Sequence, residues 1–354
     1  MKIRSLTLVL THDCNFSCSY CYKKKNPATV RWSLLEEALL FLLPHLCRVY
    51  DLTFFGGEPL LAFDLIERTV AFLLSENKKR GKKARFFLTT NGSLLDGSIL
   101  SFLNKHRFCV VVSFDGMAQE TQRNRGSSRL VLSSIESLLS LASVRLEVNS
   151  VFGPETVVHL SESLRSIIDA GVSNIHLTLT LVKPWGKKSL ERLNHEMERL
   201  TGLLVSEHTK TGRIPVLEFR EEPGSGVFFC AAGQDRLALT PEGDVWGCDL
   251  FPDYFRGKKN SREYRKYFFG DFRTFSASYK DIYPRISSGY AALSMDQFST
   301  PEGRCLFCPE LGRCTVCPVH ASFSGSPLGK IPSYACTVQK IRIRKKQKFQ
   351  RTIA

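Results

Sequence analysis

The 354-residue chain lacks long hydrophobic runs: no stretch reaches the about eighteen uninterrupted apolar residues that a membrane helix needs. It also lacks the charged, apolar and small-residue segments of an export signal, because a predicted strand begins at residue 3. No internal repeat is visible, and the low-complexity segment is a basic tail after Gln339. These absences predict a cytoplasmic globular protein with no membrane span.

Acidic residues are few relative to basic ones, with 34 Asp and Glu against 49 Lys and Arg and a formal net charge of +15. Such an excess favours nucleic acid or acidic protein partners. The basic runs are residues 23–25, 78–83, 258–259 and 342–348. None is interleaved with regular aromatic residues, as a platform for single-stranded nucleic acid would be. We therefore favour solvated faces or docking of an acidic peptide over nucleic acid.

Cysteine, in contrast, is abundant, with twelve residues. In a large chain without an export signal, cysteines are typical of metal ligands in a reducing compartment rather than of disulfides. Cys14, Cys18 and Cys21 follow the first predicted strand, and thiolates prefer zinc or iron–sulfur clusters. Three thiolates hold only three irons of a cubane and leave the fourth open to a small molecule with an amine and a carboxylate. A zinc knuckle or buried structural thiols are the alternatives.

Short β-rich runs alternate with helix-length amphipathic segments as far as about residue 219. The predicted strands are residues 3–10, 52–55, 85–89, 109–114, 145–151 and 174–181. This alternation predicts a parallel sheet. Six βα units are too few for a closed eight-fold barrel, so the predicted fold class is α/β with a partial, TIM-like (β/α)6 barrel.

The first predicted helix carries a capping box, Ser33 with Glu36, before a leucine-rich face. Pro44 is where this helix should weaken or bend. Cys47 is assigned to the same apolar helix and Cys109 to a strand, both as buried apolar residues.

A change of character near residue 220 predicts a domain boundary, since residues 221–226 are rich in charge, Pro and Gly. We predict a barrel domain at 1–220, a cysteine-rich domain at 221–340 and a basic tail at 341–354. In the second domain, residues 236–240 and 244–246 flank Pro-Glu-Gly as a hairpin. The remainder has too few apolar residues for a large core, so metal clusters should hold it together.

Glycine-rich and polar motifs follow the second, third and fourth strands, at the end where the sites of parallel barrels assemble. Gly-Gly-Glu-Pro at 56–59 allows the backbone to approach a ligand closely. Thr-Thr-Asn-Gly at 89–92 and Ser-Phe-Asp-Gly at 113–116 end the next two strands. Each is also a common turn sequence, and only their order along the chain indicates one site.

The pattern Cys-x3-Cys-x-aromatic-Cys, with Tyr20 as its aromatic residue, resembles the signature of the radical S-adenosylmethionine (SAM) enzymes. In that family the three cysteines bind a 4Fe-4S cluster, and Gly-Gly-Glu-Pro contacts the amino group of SAM. The resemblance implies that reduction of SAM gives methionine and a 5′-deoxyadenosyl radical, which abstracts a hydrogen atom from the substrate. Ser113 and Asn149 are implied for the ribose or carboxylate of SAM. The implied SAM-binding residues are Tyr20, Gly56, Gly57, Glu58, Pro59, Thr90, Asn91, Ser113, Arg123 and Asn149.

The remaining cysteine pattern resembles the SPASM extension, which carries two auxiliary iron–sulfur clusters in peptide- and protein-modifying radical SAM enzymes. Its run Cys-x2-Cys-x5-Cys-x2-Cys is one residue shorter than usual before Cys317. The resemblance implies an outer set, Cys305, Cys308, Cys314 and Cys336, and an inner set, Cys230, Cys248 and Cys317. The inner set is one ligand short, and a side chain, solvent or a substrate thiolate would complete it. A zinc ribbon is the alternative.

Asp249 follows Cys248 directly. In sulfatase-maturing SPASM enzymes an aspartate in this place removes a proton from the substrate, so the resemblance implies that Asp249 is a catalytic base. An aspartate that only accepts backbone hydrogen bonds at a hairpin end is the alternative. His12 and His176 are expected to be hydrogen-bonded structural residues.

The resemblance implies a maturase that oxidatively modifies a ribosomally made peptide, installing a thioether or carbon–carbon cross-link. Oxidation of a sulfatase Cys or Ser to formylglycine is the alternative enzyme activity; an electron-transfer scaffold without SAM chemistry and nucleic-acid modification are less favoured. The expected electron donor is of the flavodoxin or ferredoxin type. With a strand beginning at residue 3, a separate docking protein or the second domain is expected to recognise the leader peptide.

Overall fold

The computed structural model describes residues 2–220, 230–259 and 261–354. The strands of the main sheet are β1 (Ile3–Thr11), β2 (Leu46–Gly56), β3 (Lys83–Thr90), β4 (Cys109–Ser113), β5 (Arg145–Phe152), β6 (Ile175–Leu179), β7 (Arg236–Leu239), β8 (Asp244–Trp246) and β9 (Gly270–Asp271). A separate hairpin pairs β10 (Ser299–Thr300) with β11 (Gly303–Arg304).

The helices before residue 221 are α1 (Trp32–Leu42), α2 (Phe63–Arg80), α3 (Gly97–Lys105), α4 (Gln119–Gln122), α5 (Ser128–Leu139), α6 (Leu160–Asp169), α7 (Lys187–Thr211) and α8 (Leu217–Arg220). The later ones are α9 (Phe251–Tyr254), α10 (Arg262–Tyr267), α11 (Phe272–Ala277), α12 (Tyr279–Ala291), α13 (Pro318–Ser322) and α14 (Ser333–Ile353). Turns of 3-10 helix lie at Leu43–His45, Pro59–Ala62, Gly116–Ala118, Val157–His159, Met295–Gln297, Cys305–Phe307 and Leu311–Arg313. Within the described ranges, every helix is too short or too polar to span a lipid bilayer.

The sheet has the strand order β6-β5-β4-β3-β2-β1-β7-β8-β9. Strands β1 to β6 all pair in parallel, which confirms the predicted α/β fold with a partial six-strand barrel. Strand β2 begins well before the predicted residue 52, because Leu46 pairs with Ile3 at the start of β1. Helices joining parallel strands leave the carboxyl ends of all six strands at one edge, where the polar motifs lie.

The start of α1 differs from the prediction. The helix begins at Trp32, and its N-cap residue Arg31 makes no side-chain capping bond, so the capping box of Ser33 with Glu36 is wrong. Ser33 is already inside the first turn, where its hydroxyl cannot serve as the N-cap acceptor. The helix ends at Leu42, and Pro44 follows in a 3-10 turn, as expected.

The two remaining cysteines of the first half lie in strands. Cys109 is buried in β4, as predicted. Cys47 is half-buried in β2, so its assignment to a helix is wrong. The apolar run of α1 continues past Pro44 into this strand, and hydrophobicity alone does not mark where a helix gives way to a strand.

The C-terminal region joins the barrel sheet directly. Strand β7 pairs in parallel with β1, and β8 pairs antiparallel with β7, which confirms the predicted hairpin. The expectation that this region has too few apolar residues for a large core of its own stays a prediction, because its buried residues belong to the same hydrophobic core as the barrel. They are mainly aromatic: Trp246, Phe251, Phe255, Tyr267, Phe269, Phe272, Phe275 and Tyr290. Each aromatic ring buries a large area, so the number of apolar residues underestimates the core that they build.

Residues 341–354 belong mostly to α14, which packs along α7. Phe349 is fully buried and meets Phe219 edge to face, with 5.4 Å between ring centroids. Lys345 Nζ lies 2.7 Å from Glu198 on α7. The basic segment therefore has an apolar face in the core and a charged face outside. The predicted domain boundary near residue 220 adjoins residues 221–229, which lie outside the described residues, and the domain division stays a prediction.

We expect Phe349→Ala to lower the free energy of unfolding by about 3–5 kcal/mol, because it leaves a cavity between α14 and α8. The matched control Arg351→Ala, at an exposed position of the same helix, should change it by less than about 0.5 kcal/mol. Urea unfolding of both variants measures the difference. Equal stability of the two would mean that the basic segment does not contribute to the core.

Candidate active site

The loop after β1 holds the first three cysteines in a tight turn. Cys14 N–H donates to Asp13 Oδ1 at 2.8 Å, and Cys21 N–H donates to Cys18 O at 3.1 Å. Burial raises the pKa of Cys18 to about 11, and the charges of Cys21 and Cys14 add to the rise. The three thiols thus share one neighbourhood at the carboxyl end of β1. We refer to them as the triad.

The backbone at the end of β2 contacts the backbone of this loop directly. Gly57 N–H donates to Thr11 O at 2.9 Å, and Glu58 N–H donates to Asp13 O at 2.8 Å. A Cβ atom at Gly57 would lie 2.1 Å from Asp13 O, and one at Gly56, where φ is +152°, would lie 2.3 Å from Thr11 O. Both glycines are therefore required by the chain itself, whatever ligand lies above them.

The Glu58 side chain points into the protein. It is completely buried, and its carboxylate accepts hydrogen bonds from Leu60 N–H at 3.1 Å, Thr90 Oγ1 at 2.8 Å and Asn91 N–H at 2.7 Å. Burial raises the pKa of Glu58 to about 7, although the three donors oppose the rise. Glu58 thereby ties the motif at the end of β2 to the motif at the end of β3.

Arg123 is held by Asp115, at the end of β4. Arg123 Nη2 donates to Asp115 Oδ1 at 2.8 Å, and Nε lies 2.7 Å from Oδ2 without the alignment of a hydrogen bond. Asp115 also accepts from Tyr20 Oη at 3.1 Å and Val151 N–H at 2.8 Å. Burial opposes the Arg123 charge, but Asp115 outweighs it and raises the pKa of Arg123. The arginine is therefore a fixed cation.

These elements surround a cavity of about 350 Å³ at the carboxyl edge of the sheet. The triad lines it, and so do most of the predicted SAM-binding residues: Tyr20, Gly56, Gly57, Thr90, Asn91, Ser113, Arg123 and Asn149. Glu58 and Pro59 are not among its lining residues. The structure thus brings the predicted motifs together, with Glu58 behind the wall rather than in it.

Several lining residues were missed from the sequence. Thr178 and Thr180 line the cavity at alternate positions at and just beyond the end of β6, a period-two signal that could have identified them. Lys23 was treated as part of a solvated basic run. Its Nζ lies 3.2 Å from Asp253 Oδ2, and the two side chains are only 9% and 4% exposed. Its position two residues after Cys21 was the available signal.

The C-terminal region closes the cavity. It contributes Leu250, Cys317 and His320 to the lining. Leu181 N–H, beyond the end of β6, donates to His320 Nε2 at 3.3 Å, and burial lowers the pKa of His320 to about 4, so the imidazole is neutral. Tyr22, from the triad loop, stacks on Phe323 with 4.8 Å between ring centroids.

The C-terminal cysteines form two neighbourhoods. Burial raises the pKa of Cys314 to about 11, and its thiol neighbours are Cys305, Cys308 and Cys336. Burial also raises the pKa of Cys317 to about 11, and its thiol neighbour is Cys230. Burial and nearby acidic groups raise the pKa of Cys248, and its thiol neighbours are Cys317 and Cys230. The predicted outer and inner sets stay predictions, and this grouping is consistent with them despite the shortened spacing before Cys317.

The other candidate residues have identifiable partners. Asp249 accepts a hydrogen bond from Cys248 Sγ at 3.6 Å and is not among the cavity-lining residues, so its role as a base stays a prediction. His176 Nε2 lies 2.7 Å from Glu147 Oε2, below the cavity. His12 lines the cavity, and its Nε2 lies 3.2 Å from Glu242 Oε2. Within residues 2–220, 230–259 and 261–354, no three His, Cys, Asp or Glu side chains converge closely enough to enclose a single metal ion.

We expect Gly57→Ala to lower the free energy of unfolding by about 1–3 kcal/mol, because its Cβ would overlap the carbonyl of Asp13. The matched control Gly202→Ala, where the added Cβ meets no atom within 4 Å on α7, should instead raise it by up to about 1 kcal/mol. Urea unfolding measures both. Changes of the same sign would contradict the close approach of β2 to the triad loop.

Comparison with known sequences agrees with the resemblance to the radical SAM enzymes. Residues 8–167 match the model of the Radical SAM superfamily. An uncharacterised protein of Methanocaldococcus jannaschii is 27% identical over 70% of this chain and 85% of its own length. The radical SAM cyclopropyl synthase TigE of Paramaledivibacter caminithermalis is 23% identical over 74% of this chain and 60% of its own length. A probable GTP 3′,8-cyclase of Methanopyrus kandleri is 28% identical over 71% of this chain and 83% of its own length.

Solved structures with the same fold extend the likeness to the C-terminal region. The structure of anSMEcpe with bound AdoMet and Cp18Cys peptide superposes with a TM-score of 0.78 at 19% identity, covering 100% of this chain and 98% of that one. Streptococcus suis SuiB bound to precursor peptide SuiA superposes with a TM-score of 0.60 at 14% identity, covering 94% and 75%. Residues 8–167, which contain the triad, match the Radical SAM superfamily, and the chain is a radical SAM enzyme.

Proposed function

We propose that this enzyme oxidatively modifies a ribosomally made peptide, forming a thioether or carbon–carbon cross-link. One observation carries the proposal: the triad and Cys317 of the inner set line the same cavity. A substrate in that cavity would lie between the site where a hydrogen atom is removed and a thiol group suited to an electron-accepting cluster. Removal of a hydrogen atom, a proton and an electron gives the net two-electron oxidation that either cross-link requires.

The residues present fit the cofactors that the family implies. The triad would bind a 4Fe-4S cluster with one open iron, and the cavity above it is of a size that holds a small ligand. When bound, the cluster and SAM supply hydrogen-atom abstraction. The outer and inner sets would bind two auxiliary clusters, and a flavodoxin- or ferredoxin-type protein would supply electrons. Nothing in the fit calls for zinc.

The chain's own residues would position SAM. Gly56 and Gly57 present their backbone to the cavity, and Asn91 lines it with its main chain fixed by Glu58. Arg123 presents a cation whose position is set by Asp115. Ser113 and Asn149 add polar groups on the adjoining strands. We assign these side chains to SAM and the C-terminal wall of the cavity to the peptide.

The C-terminal wall would keep water away from the reacting groups. Leu250, Cys317 and His320 form this wall. Tyr22 and Lys23 of the triad loop line the cavity beside it, and the ion pair of Lys23 with Asp253 is almost fully buried. A radical site needs such a dry enclosure, because side reactions with solvent lower the yield. The peptide complexes of anSMEcpe and SuiB support a peptide substrate for this architecture.

Formylglycine formation in a sulfatase is the second candidate. The observation that favours it is the superposition on anSMEcpe, which covers the whole chain. The cysteine-type anaerobic sulfatase-maturating enzyme of Clostridium perfringens is also 31% identical over 32% of this chain. The two candidates differ in the product, since formylglycine alters one residue and a cross-link alters two.

We expect the triple variant Cys14→Ala, Cys18→Ala and Cys21→Ala to lose 5′-deoxyadenosine formation while keeping roughly two clusters' worth of iron, because the outer and inner sets are untouched. The matched control Cys47→Ala, outside all three cysteine groups, should keep the full iron content and activity. Iron and sulfide analysis and chromatography of the nucleoside product measure both. Full activity of the triple variant, or stoichiometric zinc in the C-terminal sets, would contradict the assignment.

Peptide turnover tests the substrate class. We expect slow SAM cleavage by the reduced enzyme to accelerate when a peptide encoded beside its gene is added, with any docking protein encoded there, because the substrate completes the enclosure. Mass spectrometry should show a loss of about two mass units per modification. A loss shared by two residues indicates a cross-link, and a loss confined to one Ser or Cys indicates formylglycine. Turnover of GTP, RNA or a small metabolite without any response to peptide would refute the proposal.

A further inference from the structure

A cubane cluster has four irons, and the inner set offers thiols for three of them. Seven of the twelve cysteines belong to the triad and the outer set, and Cys47 and Cys109 lie in β2 and β4. No cysteine remains to complete Cys230, Cys248 and Cys317. The fourth ligand must therefore be a different side chain or come from outside the chain.

Asp249 is in direct contact with this set. Its Oδ1 accepts a hydrogen bond from Cys248 Sγ at 3.6 Å. The carboxylate therefore lies beside the thiol of one member of the inner set, within reach of a metal that this thiol would hold.

The same carboxylate does not line the cavity proposed for the substrate. The next residue, Leu250, and Cys317 line the cavity, whereas Asp249 does not. A general base needs to reach the proton that it removes, directly or through one water. Asp249 is therefore better placed to meet a metal held by Cys248 and Cys317 than a peptide held in the cavity.

A second donor near the inner set, among the described residues, is already engaged. His320 lies in the same wall as Cys317, and its backbone N–H donates to Cys317 Sγ at 3.5 Å. Its Nε2 accepts the hydrogen bond of Leu181 N–H at 3.3 Å. Binding iron through that nitrogen would leave a buried backbone N–H without a partner, which costs about 1–3 kcal/mol. Asp249 has no such backbone bond to lose.

We propose that Asp249 is the fourth ligand of the inner cluster, binding through a carboxylate oxygen. This inference rests on the proposed function, in which the inner set holds an iron–sulfur cluster. Its oxygen would take the position on the fourth iron that solvent or a substrate thiolate would otherwise occupy. All four irons would then have protein ligands. The inner cluster would accept an electron without binding a substrate thiolate, and the peptide would need no free cysteine at this site.

The test uses full-length, anaerobically reconstituted protein that carries the triad Cys→Ala substitutions, so that only the two auxiliary clusters contribute signals. Asp249→Asn, Asp249→Cys and the control Asp244→Asn are compared by iron content, Mössbauer spectroscopy, electron paramagnetic resonance of the reduced protein and reduction potential. Asp244 lies in β8, four residues before Cys248, and contacts no thiol in the inner set.

We expect Asp249→Asn to change the resonance and the potential of the inner cluster and to lose up to about one iron per chain, because one iron loses its anionic ligand. Asp249→Cys should restore the iron content and convert the oxygen-bound iron to a thiolate-bound one in the Mössbauer spectrum. The Asp244→Asn control should match the parent. If Asp249 only accepted a hydrogen bond, Asp249→Cys would not restore the iron content or produce a thiolate-bound iron.

Parent-like iron content, resonance and potential in both Asp249 variants would overturn the proposal and leave the base assignment. Binding of a thiol peptide to the inner cluster of the parent, seen as a change in its resonance, would overturn it as well. Peptide turnover is measured separately on the enzyme with an intact triad. A failure of peptide turnover therefore affects the proposed function without deciding the ligand, and the spectra decide the ligand without turnover.

Discussion

The close approach of β2 to the triad loop is the constraint on which the site depends. Gly57 and Glu58 bond through their backbone N–H groups to the carbonyls of Thr11 and Asp13, and a side chain at either glycine would overlap those carbonyls. The buried Glu58 carboxylate then carries the same alignment to Thr90 and Asn91. One chain of short contacts thus places three motifs from separate strands around a single cavity. Chemistry on a substrate at the C-terminal wall of the cavity depends on these contacts holding the triad loop rigidly.

The C-terminal region acts as the second half of the site rather than as an appended module. Its first strand extends the barrel sheet beside β1, so its loops are carried over the open edge of the barrel. Contacts ring the cavity from this side: His12 with Glu242, Lys23 with Asp253, Tyr22 with Phe323, and Leu181 with both His320 and Tyr334. The buried aromatic residues of this region add packing that does not involve the cysteines.

Sequence patterns predicted most of the site because parallel strands bring their carboxyl ends together. Asn91 was predicted at this edge because it follows a predicted strand, whereas Tyr20 and Asn149 were implied by the resemblance to the radical SAM enzymes; all three line the cavity. The helix cap at Ser33 and the helical assignment of Cys47 were wrong because both depended on where a leucine-rich run changes conformation, which tertiary pairing of Leu46 with Ile3 decides. Lys23 was missed because its burial comes from Asp253, far away in sequence. Its position two residues after Cys21 indicates the site but does not indicate the ion pair.

The central claim is that three cysteine groups hold iron–sulfur clusters around one cavity. Anomalous diffraction at the iron absorption edge, from crystals of the anaerobically reconstituted protein with SAM, tests it most directly. The account predicts compact iron density at the triad, at the inner set and at the outer set, with SAM between the triad and Arg123. Iron at the triad alone, or a zinc-edge signal at the C-terminal cysteines, would contradict it.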